Sequence, residues 1–195
     1  PSYTVFKVPI FIVPTSHFLP LQKGIAVPLQ ESYANDSFEL SFELFPPKTA
    51  ESEAMLWQTV NELMGFEPTL ITCTYGAGGS TQTKTLEVLN GVHTRHPSVA
   101  IASHLTCVGS TTDQLREYLQ KAQKTGVTAI VALRGDPPQG ETTFTPVVNG
   151  LHYAVELVTL IKQEFPQLKI LVAGYPETHQ EAVSTDADLQ YLKQK

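Results

Sequence analysis

Residues 100–134 read AIASHLTCVGSTTDQLREYLQKAQKTGVTAIVALR, and this stretch decides the fold. Its two ends, 100–107 and 129–134, are short apolar runs with the length of buried strands. Between them Leu115, Leu119 and Ala122 recur at spacings of four and three, which draws one apolar stripe along a helix over 112–125. Thr111, Thr112 and Asp113 offer an N-cap to that helix, and Gly126 lies just past its end. A strand, a returning helix and a second strand make a parallel crossover unit.

The same rhythm extends in both directions. Further strands are predicted at 38–45, 70–75 and 170–175, with amphipathic helices at 51–63, 83–94, 151–164 and 179–193. Strands alternating with helices imply an α/β fold with a parallel sheet, either open and doubly wound or curved as a β/α barrel. Five βα units are visible where a closed barrel of this type has eight, so a barrel would be present only in part. Such a piece should expose sheet edges and be prone to aggregate. Residues 1–36 break the rhythm. Pro1, Pro9, Pro14, Pro20 and Pro28 allow no helical period, and the segment reads as an irregular arm with an extended stretch around 10–13. A docking or targeting peptide is the alternative. The βα region then runs over 37–195.

Composition narrows the function classes. The 195 residues carry 13 Lys and Arg against 19 Asp and Glu, a formal charge of −6, and 42% are apolar. That is too apolar for a disordered chain, and too acidic for a protein that holds nucleic acid by neutralising phosphates. No stretch approaches the roughly 18 apolar residues that span a bilayer. Two cysteines, Cys73 and Cys107, are too few for a disulfide scaffold and fit a reducing cytoplasm. With Pro1 in first place rather than Met, the chain reads as soluble, cytoplasmic and part of a longer product.

The chemistry-bearing residues gather where predicted strands end, which is where parallel α/β folds place their ligands. The first strand ends SFELFPP, and Glu43 stands there among aromatic and aliphatic neighbours. A desolvated carboxyl keeps its proton to higher pH, as a general acid requires; an exposed glutamate on an edge strand is the plainer reading. The second strand runs into Gly76–Thr81, a glycine-rich turn suited to an anion or simply to a tight corner, without the spacing of a dinucleotide or P-loop fingerprint. The third carries His104, a ligand contact or a satisfied core histidine. His93 and His96 could share a helix face, but no metal-ligand spacing emerges. The fourth ends in Arg134, Gly135 and Asp136, a charged ligand contact or a salt-bridged loop. The fifth ends in Tyr175, a flat stacking surface, before a segment rich in charge.

Taken in order, SFELFPPKT, TCTYGAGGST, SHLTC, IVALRGDPP, YAVELV, AGYPETHQEA and DLQYLK resemble the methylenetetrahydrofolate reductase family over residues 41–195. The resemblance implies a TIM-type β/α barrel that binds FAD at its carboxyl face. It also implies reduction of 5,10-methylenetetrahydrofolate to 5-methyltetrahydrofolate in one-carbon and methionine metabolism. The hydride would come from NADH or NADPH by way of the flavin. Glu43 falls where the family has its general acid, and Asp136 where it has a carboxylate beside flavin and pterin. Thr74, Tyr75, His104, Arg134, Gly135, Asp136, Tyr153, Tyr175, His179, Ala182, Asp188 and Lys195 fall at FAD contacts. No metal, membrane or nucleic acid is implied; the intact protein would be a homo-oligomer. Two other readings stay open: an inactive flavin- or folate-binding fragment, and a different barrel enzyme acting on a phosphorylated substrate through residues 76–81.

Overall fold

The computed structural model describes residues 10–12, 40–75, 81–137, 140, 144–175, 177–179 and 181–195. In chain order the elements are β1 (Ile10–Ile12), β2 (Ser41–Leu44), α1 (Ala50–Met64), β3 (Leu70–Cys73), α2 (Gln82–Arg95), β4 (Ala100–Thr106), α3 (Thr112–Lys124), β5 (Ala129–Leu133), α4 (Ala154–Glu164), β6 (Lys169–Ala173) and α5 (Thr185–Gln194). The sheet runs β1-β6-β5-β4-β3-β2. β2 to β6 are parallel neighbours in sequence order, and β1 lies antiparallel on the outer edge of β6, Ile10 opposite Ala173.

Alternation along the strands gives the two faces of the sheet separate jobs. Ile71, Cys73, Ile101, Leu105, Ile130, Ala132, Ile170 and Val172 share one core with Val60 of α1, Val88 and Leu89 of α2, Leu115 and Leu119 of α3, and Leu157 and Ile161 of α4. The intervening residues Leu70, Ala102, Ala129, Val131 and Leu171 form a second cluster with Ala100 and Leu133, and among the described residues no helix side chain joins it. All four of these crossover helices therefore pack on one face. A doubly wound sheet would have them on both. Consecutive parallel strands with every helix outside is the winding of a β/α barrel. Within the described residues the sheet keeps two edges, β1 and β2, and does not close.

The caps follow the local sequence. Thr111 accepts from the Gln114 N–H at 3.3 Å while Gln114 Oε1 accepts from the Thr111 N–H at 2.9 Å, a reciprocal box. Thr49 and Ser52 do the same for α1. Gly126, at φ +88°, sits where a Cβ would meet the His93 ring at 2.8 Å. Two predicted helices start late. α4 opens at Ala154 rather than 151, and α5 at Thr185 rather than 179. For α5 the cause lies in the turn before it: Thr178 takes φ +73°, and Ser184 Oγ accepts from the Ala187 N–H at 3.1 Å as the true N-cap.

Candidate functional site

Two polar groupings stand at the carboxyl ends of the strands. The first is built from β2 and β4. Glu43 is paired with Thr72 on β3, and Thr72 with Ala102 on β4, so His104 lies two strands over and one step further along the same face. Strands are about 4.8 Å apart, and both long side chains must lean across β3 to meet. They do: Glu43 Oε2 is 3.3 Å from His104 Nε2.

Burial governs the charge on this pair. Glu43 sits on the edge strand and keeps 38% of its side chain accessible, yet desolvation still pushes its carboxyl above the ordinary 4.5. His104 is buried, and desolvation pushes its imidazole down to about 4. The usual order of a carboxylate and an imidazole is thereby inverted: a proton entering the pair belongs on Glu43. Proximity here is not an ion pair. Glu43 is thus an exposed edge-strand residue whose carboxyl is nonetheless raised by its surroundings. His104 Nε2 and Thr106 Oγ1 are buried without a hydrogen-bond partner. Among the described residues no helix covers this face, and buried polar atoms left unpaired there are open to a polar ligand or a protonated neighbour.

Thr74 lies one alternation beyond Thr72. Its N–H donates to the Leu44 carbonyl at 2.9 Å, and its own carbonyl accepts from Thr85 Oγ1 at 2.8 Å. Tyr75 points the other way. Its ring meets Tyr118 edge-on at 5.3 Å, and Tyr118 shares a 2.6 Å hydrogen bond with Ser103, all within the helix-side core. The structure therefore does not bring Tyr75 together with Glu43 and His104. Residues 76–80 of the glycine-rich turn lie outside the described residues.

The second grouping follows β5 and β6. Arg134 forks onto Glu181, with Nη2 to Oε1 at 2.9 Å and Nη1 to Oε2 beside it, and its guanidinium lies 5.2 Å from the Phe144 ring centre. The salt-bridged loop of the plainer reading is thus present. Glu181 stands 47 residues from Arg134, and no local sequence pattern couples them. Gly135 takes φ +86°, and a Cβ there would meet Val108 Cγ1 at 2.8 Å, so its glycine is required by internal packing. Asp136 is exposed; its charge, after burial, helps raise the Tyr175 hydroxyl. Tyr175 meets His179 edge-on at 4.7 Å.

His179 organises the turn. Its N–H donates to Asp188 Oδ2 at 2.9 Å, its Nδ1 accepts from the Glu181 N–H at 3.1 Å, and its carbonyl accepts from the Ala182 N–H at 2.9 Å. Burial pushes the Lys195 ammonium down, against the pull of Asp188. Tyr153 is exposed at the start of α4, where the Glu156 carboxylate accepts from the N–H groups of His152 and Tyr153 at 2.6 and 3.2 Å. The structure thus joins Arg134, Asp136, Tyr175, His179, Ala182, Asp188 and Lys195 in one grouping, Glu43 and His104 in another, and leaves Tyr153 on the rim. Among the described residues no three His, Cys, Asp or Glu side chains converge as a metal site, and no helix is long and apolar enough to cross a membrane.

Comparison with known proteins gives the site its context. The family model described as methylenetetrahydrofolate reductase matches residues 28–195. The 5,10-methylenetetrahydrofolate reductase of Escherichia coli K12 is 41% identical over 156 residues, covering 80% of this chain and 50% of the bacterial protein. A probable methylenetetrahydrofolate reductase (NADH) of Oryza sativa subsp. japonica is 37% identical over 177 residues, covering 86% of this chain and 30% of the plant protein. In Arabidopsis thaliana, methylenetetrahydrofolate reductase (NADH) 1 is 36% identical over 165 residues, covering 80% and 28%. The chain spans about half the length of the bacterial relative it matches. On its parallel βα winding and a family match across residues 28–195, the chain belongs to the methylenetetrahydrofolate reductase family.

Proposed function

We propose that the protein carrying this chain is a cytoplasmic, FAD-dependent reductase that converts 5,10-methylenetetrahydrofolate to 5-methyltetrahydrofolate with NADH or NADPH as hydride donor. The observation that carries the reading is Glu43, a carboxyl raised by burial on the helix-free face of the sheet, in a chain of this family. Bound flavin would supply the relay of a hydride from nicotinamide to folate. Thr106 would offer its unpaired hydroxyl to it and the His104 ring would line it, with Arg134, Tyr175 and His179 along its length.

The protein's own part is protonation and charge. The five-membered ring of methylenetetrahydrofolate is a poor hydride acceptor until one C–N bond opens. Glu43 gives its proton to the departing nitrogen, and the electron pair on the other nitrogen forms an iminium cation. Asp136, at the carboxyl end of β5, is the acidic side chain that would oppose that positive charge. Hydride addition at the iminium carbon then yields the methyl group.

The test begins with colour. The purified protein should be yellow, NADH or NADPH should bleach it under anaerobic conditions, and methylenetetrahydrofolate should restore the colour. Colour that no nicotinamide bleaches would favour a binding fragment. A colourless protein that retains phosphorylated compounds would favour a different barrel enzyme.

A further inference from the structure

We propose that His104 is a positioning residue for Glu43: its uncharged Nε2 accepts the carboxyl O–H and holds the acid's proton on the inner face of the sheet. This rests on the reading of Glu43 as the proton donor and adds to it where the proton waits.

Three observations carry it. Glu43 Oε2 and His104 Nε2 stand 3.3 Å apart, within reach of a hydrogen bond after a small rotation. Nε2 is buried and has no other partner, so an O–H from Glu43 would satisfy an atom that is otherwise costly to leave unpaired. The two residues come from strands separated by β3, so the contact exists only because both side chains lean toward each other over Thr72.

The surroundings keep the pair uncharged. Cys73 on β3 is the titratable neighbour of Glu43, and burial pushes its thiol up to about 12, so it remains protonated. β5 presents Val131 opposite His104, and Thr106 lies further along β4; neither titrates. No cation faces the pair from these strands. Burial alone raises Glu43 and lowers His104, which makes a neutral carboxyl against a neutral imidazole the protonated state of the pair. Shifting the proton to His104 would create two desolvated charges. A glutamate on an exposed edge would otherwise swing freely among rotamers; the imidazole selects one.

Nuclear magnetic resonance of the full-length protein, with ¹⁵N in the histidine rings, tests this without any turnover. On acidification the His104 Nε2 resonance should move once at the midpoint of Glu43 while the ring stays uncharged, and should move again only near pH 4. Glu43→Gln should abolish the first step and leave the amide spectrum intact. Glu43→Asp, one methylene short, should diminish it. A His104 that titrates in a single step near its ordinary 6.5, or a first step that survives Glu43→Gln, would overturn the proposal. Failure of flavin binding or bleaching would sink the proposed function and leave these titration steps unaltered, so the two readings fail separately.

Discussion

The two faces of the sheet are made from the same strands and are put to opposite uses. The helix side is filled: Ile71, Ile101, Leu105, Ile130 and Ile170 are fully buried against α1 to α4. The other face carries Leu70, Ala102, Ala129, Val131 and Leu171, and then Thr72, His104, Thr106 and Glu43 toward the carboxyl ends. One face buys the stability that the other spends. Unpaired polar atoms and a shifted carboxyl persist on the second face because the first is packed well enough to tolerate them.

Matched substitutions on the two faces put this contrast to the test. Leu105→Ala on the helix side should cost about 2–5 kcal/mol in urea unfolding, while Leu171→Ala on the other face should fall at the bottom of that range. Equal losses would mean that both faces are equally packed. Acid should come next in size. The unfolded chain binds a proton at His104 below about pH 6.5 that the folded chain refuses until about 4, so stability declines as pH falls through that window, by roughly 3 kcal/mol. Glu43, raised above 4.5, works in the opposite sense, costing stability as it ionises at higher pH. Urea midpoints measured at pH 7.5 and 5 should differ in the native chain and converge in His104→Leu.

Smaller effects belong to the periphery. Gly91 of α2 lies beneath Trp57 of α1, where a Cβ would meet the indole at 2.3 Å, and Arg95 stacks on the same ring at 4.0 Å. Gly91→Ala should cost about 1–3 kcal/mol, read as a lowered thermal midpoint. The Arg134–Glu181 pair is accessible to solvent, so Glu181→Gln should change stability by less than about 1 kcal/mol. A larger loss would show that the turn after β6 depends on it.

Periodicity made the βα succession legible. Each predicted strand of the βα region overlaps an observed one, and Thr111 and Gly126 bound α3 as their types require. Choosing between barrel-like and doubly wound winding needed coordinates, because the sequence does not say on which face a helix returns. The motif segments located the carboxyl-end residues, but not their partners. Glu43 meets His104 across an intervening strand, and Arg134 meets Glu181 across 47 residues; such contacts are made by topology. The start of α5 could have been found: Ser184 followed by Asp186 and Asp188 is an N-cap with an acidic first turn. Tyr75 illustrates the reverse case. It follows directly on a motif residue, Thr74, and alternation turns it into the opposite core.

On the proposed function, Glu43 delivers the proton that makes the folate reducible. Rapid-mixing kinetics of the flavin-loaded protein, native and Glu43→Gln, would time reduction by nicotinamide and reoxidation by methylenetetrahydrofolate separately. The substitution should lower the ratio of the folate rate to the nicotinamide rate by about a hundredfold or more. An unchanged ratio, with both steps slowed equally or neither slowed, would contradict it.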